Sequence, residues 1–93
     1  MTGGDIAYIW DEAKRKANIA KHGVDFKFME SFDWGRALVD YDGKAEYGED
    51  RWLALGFIGV VLYVVCFTER GESVRVISLR KATKAERMLY DKK

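Results

Sequence analysis

The run at 60–68, VVLYVVCFT, is apolar at odd and even positions alike until its final threonine. Valine and aromatic residues favour strands, and a strand points successive side chains to opposite faces of its sheet. A strand with no polar face has to be covered on both sides or nearly so, which predicts a central position in a sheet. The run is also far too short to cross a bilayer as a helix. The rest of the 93 residues must therefore supply this strand with neighbours and cover.

The neighbours flank it in sequence. Residues 51–57 alternate, with Leu53, Leu55 and Phe57 on one face, and Ile58-Gly59 makes a hairpin into the apolar run. Glu69-Arg70-Gly71-Glu72 is the next turn, after which Val74, Val76 and Ile77 mark a third strand. Three hairpin-joined strands predict an antiparallel meander. Upstream, 37–41 reads as a strand, Asp42-Gly43 as a turn and 44–50 as a polar loop. Ile6, Tyr8 and Trp10 share one face of a short first strand.

Helices fill the remaining stretches. Asp11 is an N-cap for a helix to Lys21 or His22, with Ala13, Ala17 and Ala20 at helical spacing and Gly23 as its left-handed stop. Lys14, Arg15, Lys16 and Lys21 lie on its other face, where ordinary solvation accounts for them. Asp25 caps a second helix with Phe28, Met29 and Phe32 as its core stripe, and Val24 with Met29 at staple spacing, so the two helices predict an αα-hairpin. Thr83 and Glu86 form a capping box that opens a last helix running to about Asp91. The order β-α-α-β-β-β-β-α predicts one α+β domain, an antiparallel sheet with helices packed on one face.

Composition excludes several classes. One cysteine, Cys66, lies inside the apolar run and reads as a buried inert thiol. One histidine and one cysteine far apart give no metal-ligand spacing, so no cofactor or metal is expected. Acidic and glycine residues stand where a basic signal region would be, which predicts a cytoplasmic protein without membrane contact. Net charge is only +1, but it is polarised: 23–50 carry three basic and eight acidic residues, a net −5, whereas 80–93 carry six and two, a net +4. Such asymmetry suggests an anionic partner at one surface and a basic partner at another.

At 74–90, VRVISLRKATKAERMLY, a strand runs into the capped helix, and Arg80 and Lys81 stand at the junction with Arg75 before them. Cations held by regular structure on both sides can be aimed at phosphate, although exposed Lys and Arg are common on any surface.

This stretch, together with WDEAKRKANIAKHGVDF at 10–26 and YGEDRWLALG at 47–56, resembles the BrnT family of bacterial toxins from type II toxin–antitoxin modules. Relatives often carry proline where Asp50 stands. The resemblance implies a RelE-like fold, ribonuclease activity that blocks translation, and a cognate antitoxin through which alone the module touches DNA. A non-catalytic docking or RNA-binding module of the same fold is the alternative.

Metal-independent RNA cleavage uses the substrate's own 2′-hydroxyl as nucleophile, so the protein has to move protons and neutralise phosphoryl charge. Arg75 and Arg80 suit the charge, with Lys81 as a point-charge assistant and Lys84 beside it on the RNA path. In a strict strand, positions 75 and 80 fall on opposite faces, and a bulge or turn is needed to align them. His22 is an acid–base candidate by its ordinary pKa, or a helix C-terminal residue favouring the last carbonyls. Glu49 and Arg51 are a base and a phosphate clamp, or else a surface ion pair. Tyr90 stacks on a base, donates a proton, or packs. An antitoxin can cover the basic end, 80–93, or clamp the acidic middle, 25–50. Surface electrostatics steers the encounter and favours the basic end, where binding would exclude phosphate.

Overall fold

Five strands form one mixed sheet in the order β1-β5-β4-β3-β2: β1 (Ala7–Ile9), β2 (Leu38–Lys44), β3 (Asp50–Ile58), β4 (Val61–Arg70) and β5 (Ser73–Lys81). The computed structural model describes residues 6–44 and 48–92. The apolar run is β4, in the middle, with every residue from Leu62 to Thr68 buried. Among the described residues, two helices, α1 (Glu12–His22) and α2 (Lys84–Asp91), and two 3₁₀ segments accompany the sheet.

One sheet face, called here the closed face, carries Trp52, Ala54 and Ile58 of β3, Tyr63, Val65 and Phe67 of β4, and Val74, Val76 and Leu79 of β5. The 3₁₀ segments cover it with Phe26, Met29, Phe32 and Trp34. Phe32 presses so close to the sheet that a Cβ on Gly56 would stand 2.6 Å from its ring. Trp34 meets Phe67 edge-on at 5.2 Å and donates its indole N–H to the Tyr8 hydroxyl at 2.7 Å. The other face, the open face, carries Leu53, Leu55 and Phe57 of β3 and Leu62, Val64, Cys66 and Thr68 of β4.

Several expectations are corrected. The sheet is mixed, because β1 runs parallel to β5 while every other pair is antiparallel. Helices lie on both faces: α2 sits over the open face, where Tyr90 meets Phe57 and Glu86 meets Arg80. The double-sided apolarity of β4 demands this. The expected second helix is a 3₁₀ segment (Phe26–Ser31), because Phe26, Met29 and Phe32 recur every three residues and eclipse in a three-residue turn. Phe28 is 44% exposed as a result, and Phe26 takes its place in the core. Asp42-Gly43 is no turn: β2 runs through it with a bulge, and Gly43 has φ +91°. The polar loop expected at 44–50 falls partly outside the described residues.

The alanine stripe of α1 faces solvent, and the buried residue of that helix is Asn18. Its amide donates to Leu79 O at 2.7 Å and to Val24 O at 2.9 Å, and its oxygen accepts from Leu79 N at 3.1 Å. After β1 ends at the level of Arg75, the outer edge of β5 has no strand beside it among the described residues. Asn18 satisfies both main-chain groups of Leu79 there, as a neighbouring strand would. Arg15 reaches back to Asp25 at 2.9 Å and fixes the turn after Gly23, whose φ of +71° closes the helix.

Candidate active site on the open sheet face

β4 is a ruler for the open face, since its even residues all point to that side. Thr68 pairs with Arg75 and Val64 with Arg80. That is four residues along β4 against five along β5, so β5 holds one extra residue. It is Ile77, between the pairs Phe67↔Val76 and Cys66↔Ser78. This bulge restores the parity that a strict strand would break, and Arg75 and Arg80 project from the same face.

Arg51 joins them from β3. One step beyond the pair Trp52↔Phe67, the antiparallel register brings Arg51 beside Thr68. Arg51, Thr68 and Arg75 therefore form a row across three adjacent strands, with the outer two separated by two strand spacings, about 10 Å. Among the described residues neither Arg51 nor Arg75 has a carboxylate partner. Thr68 is 1% exposed, and among the described residues its Oγ1 has no hydrogen-bond partner; Nε of Arg51 is likewise buried and without one. Two orphaned polar atoms on neighbouring strands are a concentration of unmet hydrogen bonding that folded interiors seldom leave. The Arg51 charge also bears on Cys66, lowering its thiol pKa against the dominant effect of burial, which raises it. The net shift is upward, as for a structural thiol.

Glu49 precedes β3 and forms an ion pair with Arg70 at the end of β4. Its partner is thus Arg70 and not Arg51, but the pair stands at the same end of the face as the Arg-Thr-Arg row. Arg80 is differently placed. Its Nη1 and Nη2 donate to Oε1 and Oε2 of Glu86 at 2.8 and 2.9 Å, and Nη1 reaches Lys81 O at 3.3 Å. The guanidinium beside it, with help from the Thr83 amide, pulls the Glu86 carboxyl down to about 2. Glu86 is also the closing member of the capping box, so one carboxylate starts α2 and ties it to β5. This bidentate grip turns the Arg80 fork toward Glu86.

The remaining sequence candidates are scattered. His22 is exposed in the last turn of α1 and shares a shallow depression of about 190 Å³ with Lys14, Lys21, Ile77 and Ser78, at the outer edge of β5. Lys81 pairs with Tyr63 in the register and so belongs to the closed face. Lys84 is exposed in the first turn of α2. Tyr90 packs: its ring meets Phe57 edge-on at 5.4 Å, and its hydroxyl donates to Arg36 O at 2.8 Å. Sequence reasoning missed Thr68 and Arg70. Thr68 was legible as the one polar residue closing an apolar run. What it faces depends on the register of three strands.

A family model described as the ribonuclease toxin BrnT of type II toxin–antitoxin systems matches residues 10–86, most of the chain. No curated protein matches it. The match takes in Arg51, Thr68, Arg75, the bulge and the start of α2. By that match the chain belongs to the BrnT family, the ribonuclease toxins of type II toxin–antitoxin systems.

Proposed function

We propose that the open face cleaves RNA without a metal, with Arg51 and Arg75 as the phosphate clamp. The observation that carries this reading is the row Arg51–Thr68–Arg75, two arginines without carboxylate partners among the described residues, flanking a buried hydroxyl that has no partner among them either. A phosphodiester laid over Thr68 meets a guanidinium from each side, and the two positive charges oppose the charge that gathers on the phosphoryl oxygens as the 2′-oxygen attacks. The hydroxyl of Thr68 supplies a further donor to the same group. Proton removal from the 2′-hydroxyl falls to Glu49, which the Arg70 pair holds at this end of the face, and as the P–O5′ bond breaks the leaving 5′-oxygen takes its proton from water. His22 is the alternative proton carrier, and its station beside Ile77 and Ser78 puts it at the margin of β5. Lys84 guides the RNA strand past the clamp, whereas Arg80 serves the fold by anchoring α2.

This reading keeps the ribonuclease over a non-catalytic docking module, in line with the family. It also takes the fold as RelE-like, the location as cytoplasmic and DNA contact as a property of the antitoxin, all on the strength of the family resemblance. The test is cleavage of a defined RNA by the purified toxin in excess EDTA. Products ending in a 2′,3′-cyclic phosphate are expected, with activity lost in Arg75→Ala and Arg51→Ala. Activity that vanishes with EDTA and returns with magnesium overturns the metal-free mechanism.

A further inference from the structure

On the closed face, beside the edge strand β1, lies a cavity of about 480 Å³. Tyr8 and Trp10 form one side of it, and Phe26, Phe32 and Trp34 form the other. The alternation of β1 turns Tyr8 to the same side as its partner Val74, while the three-residue period of the first 3₁₀ segment turns Phe26 and Phe32 inward. Phe26 and Phe32 are buried, but Tyr8, Trp10 and Trp34 are only partly so, and the cavity reaches solvent along them. Interiors seldom leave voids larger than a water molecule, and this one falls in the range of small-molecule sites, about 300–1,000 Å³.

The lining describes the occupant. Among the described residues it holds no cation, and its charged member is Glu30, an exposed carboxylate without an ion-pair partner among them. The Glu30 charge reaches inside: burial chiefly, and Glu30 with it, pushes the Tyr8 hydroxyl up against the lowering effect of the Trp34 bond. Aromatic faces are electron-rich, so five rings with a carboxylate at the mouth favour a cation. Trp10 meets Phe26 at 69° and Phe32 meets Trp34 at 64°. Walls so inclined make a box, not the parallel slot in which a flat base stacks. The Tyr8 oxygen already accepts from Trp34, which leaves few acceptors beyond Glu30. A primary ammonium or a guanidinium would bring N–H donors that the rings cannot satisfy. A quaternary ammonium has none, and it spreads its charge over methyl groups that suit aromatic walls.

We propose that this cavity binds a small molecule through a quaternary ammonium group, with the methyl groups against Trp10 and Trp34 and the charge balanced by Glu30. The cavity lies across the sheet from Arg51, Thr68 and Arg75, and its binding does not depend on the open face cleaving RNA.

The test is a titration of the full-length toxin with choline, followed by NMR through the indole N–H signals of its three tryptophans. Saturable shifts are expected at Trp10 and Trp34 but not at Trp52, which meets Tyr41 and stands outside the lining. Dimethylbutanol, the uncharged isostere in which carbon replaces the nitrogen of choline, should bind at least about tenfold more weakly, and so should ethanolamine, its primary counterpart. Glu30→Gln alters an exposed position and should raise the Kd for choline about tenfold. No saturable shift from choline overturns the proposal. Equal affinity for the alcohol does so as well, since the cavity would then read apolar shape alone, and this comparison needs no variant. Equal affinity in wild type and Glu30→Gln removes the carboxylate from the site and overturns the charge-balanced binding proposed. Guanosine monophosphate that moves the same two indoles at lower concentration than choline makes the cavity a base pocket and likewise overturns it.

Discussion

Arg75 and Arg80 lie on the same strand, project from the same face and share one side-chain chemistry, yet they have opposite circumstances. Arg80 stands where β5 runs into α2 and finds Glu86, which binds both ends of its fork. Arg75 stands at the other end of β5, beside Thr68 and across from Arg51, with no carboxylate within reach among the described residues. The difference teaches that a cation's place in a motif says little about its availability. Bidentate pairing uses up a guanidinium's geometry, and an enzyme that must grip a phosphate needs an arginine left unpaired.

The sharpest way to break this comparison is to truncate the two arginines in turn. Arg75→Ala should lower kcat about 10²- to 10³-fold, the usual loss on removing one donor to a developing oxyanion. Arg80→Ala should leave kcat within about tenfold of wild type and act on stability instead. Single-turnover cleavage of one labelled RNA measures both. Equal losses from the two would mean that Arg80 leaves Glu86 for the substrate, and the contrast between anchor and clamp would fall.

Thr68 sharpens the clamp half. Thr68→Val keeps the shape and removes a buried hydroxyl that has no partner among the described residues. Removing an unsatisfied polar atom is neutral or stabilising, so Tm should hold or rise, while kcat falls about tenfold. Thr68→Ser should recover most of that activity. A valine variant that cleaves at the wild-type rate would leave the hydroxyl no part in the reaction.

How much of this was legible in the sequence follows from the range of the interactions concerned. The central strand, the hairpins and the capping box depend on neighbours in sequence, and 60–68, Gly71 and Thr83 announced them. The parallel pairing of β1 with β5 joins residues more than sixty positions apart, and no local pattern carries it. The alanines of α1 suggested an inward face, but the position that had to be filled was a missing strand edge, which only an amide could complete. The need for a bulge between Arg75 and Arg80 could be stated from parity alone. Its place at Ile77, and with it the row through Thr68, required the register of β4.

The anchor half is tested through Glu86. Its carboxylate holds Arg80 and also accepts from the Thr83 amide, so Glu86→Ala removes an ion pair and half a capping box together. A loss of about 1–2 kcal/mol is expected, larger than for Arg80→Ala, which spares the cap. Urea unfolding of the two variants measures the difference. A smaller loss for Glu86→Ala than for Arg80→Ala would show that the cap contributes nothing to α2.

The smallest expected effect is a pH dependence confined to α2. In the folded chain Glu86 titrates at about 2, chiefly because of the Arg80 hydrogen bonds, against an ordinary value of 4.5. A depressed carboxyl stabilises the fold in full above its unfolded pKa, and that contribution is lost as pH falls from 4.5 through about 2. Water reaches the pair, since the Arg80 side chain is 35% exposed, and the stabilisation at stake is therefore about 1 kcal/mol. The helix has no buried residue, so once the pair weakens it is held chiefly by Tyr90 against Phe57 and Arg36 O. Amide exchange in α2 should accordingly quicken over that acid range, while the amides of β4 keep their protection. Arg80→Ala should abolish the step, because without the guanidinium the largest cause of the depression is gone. An acid step that survives in Arg80→Ala would assign it to another carboxylate and separate the fate of α2 from its arginine.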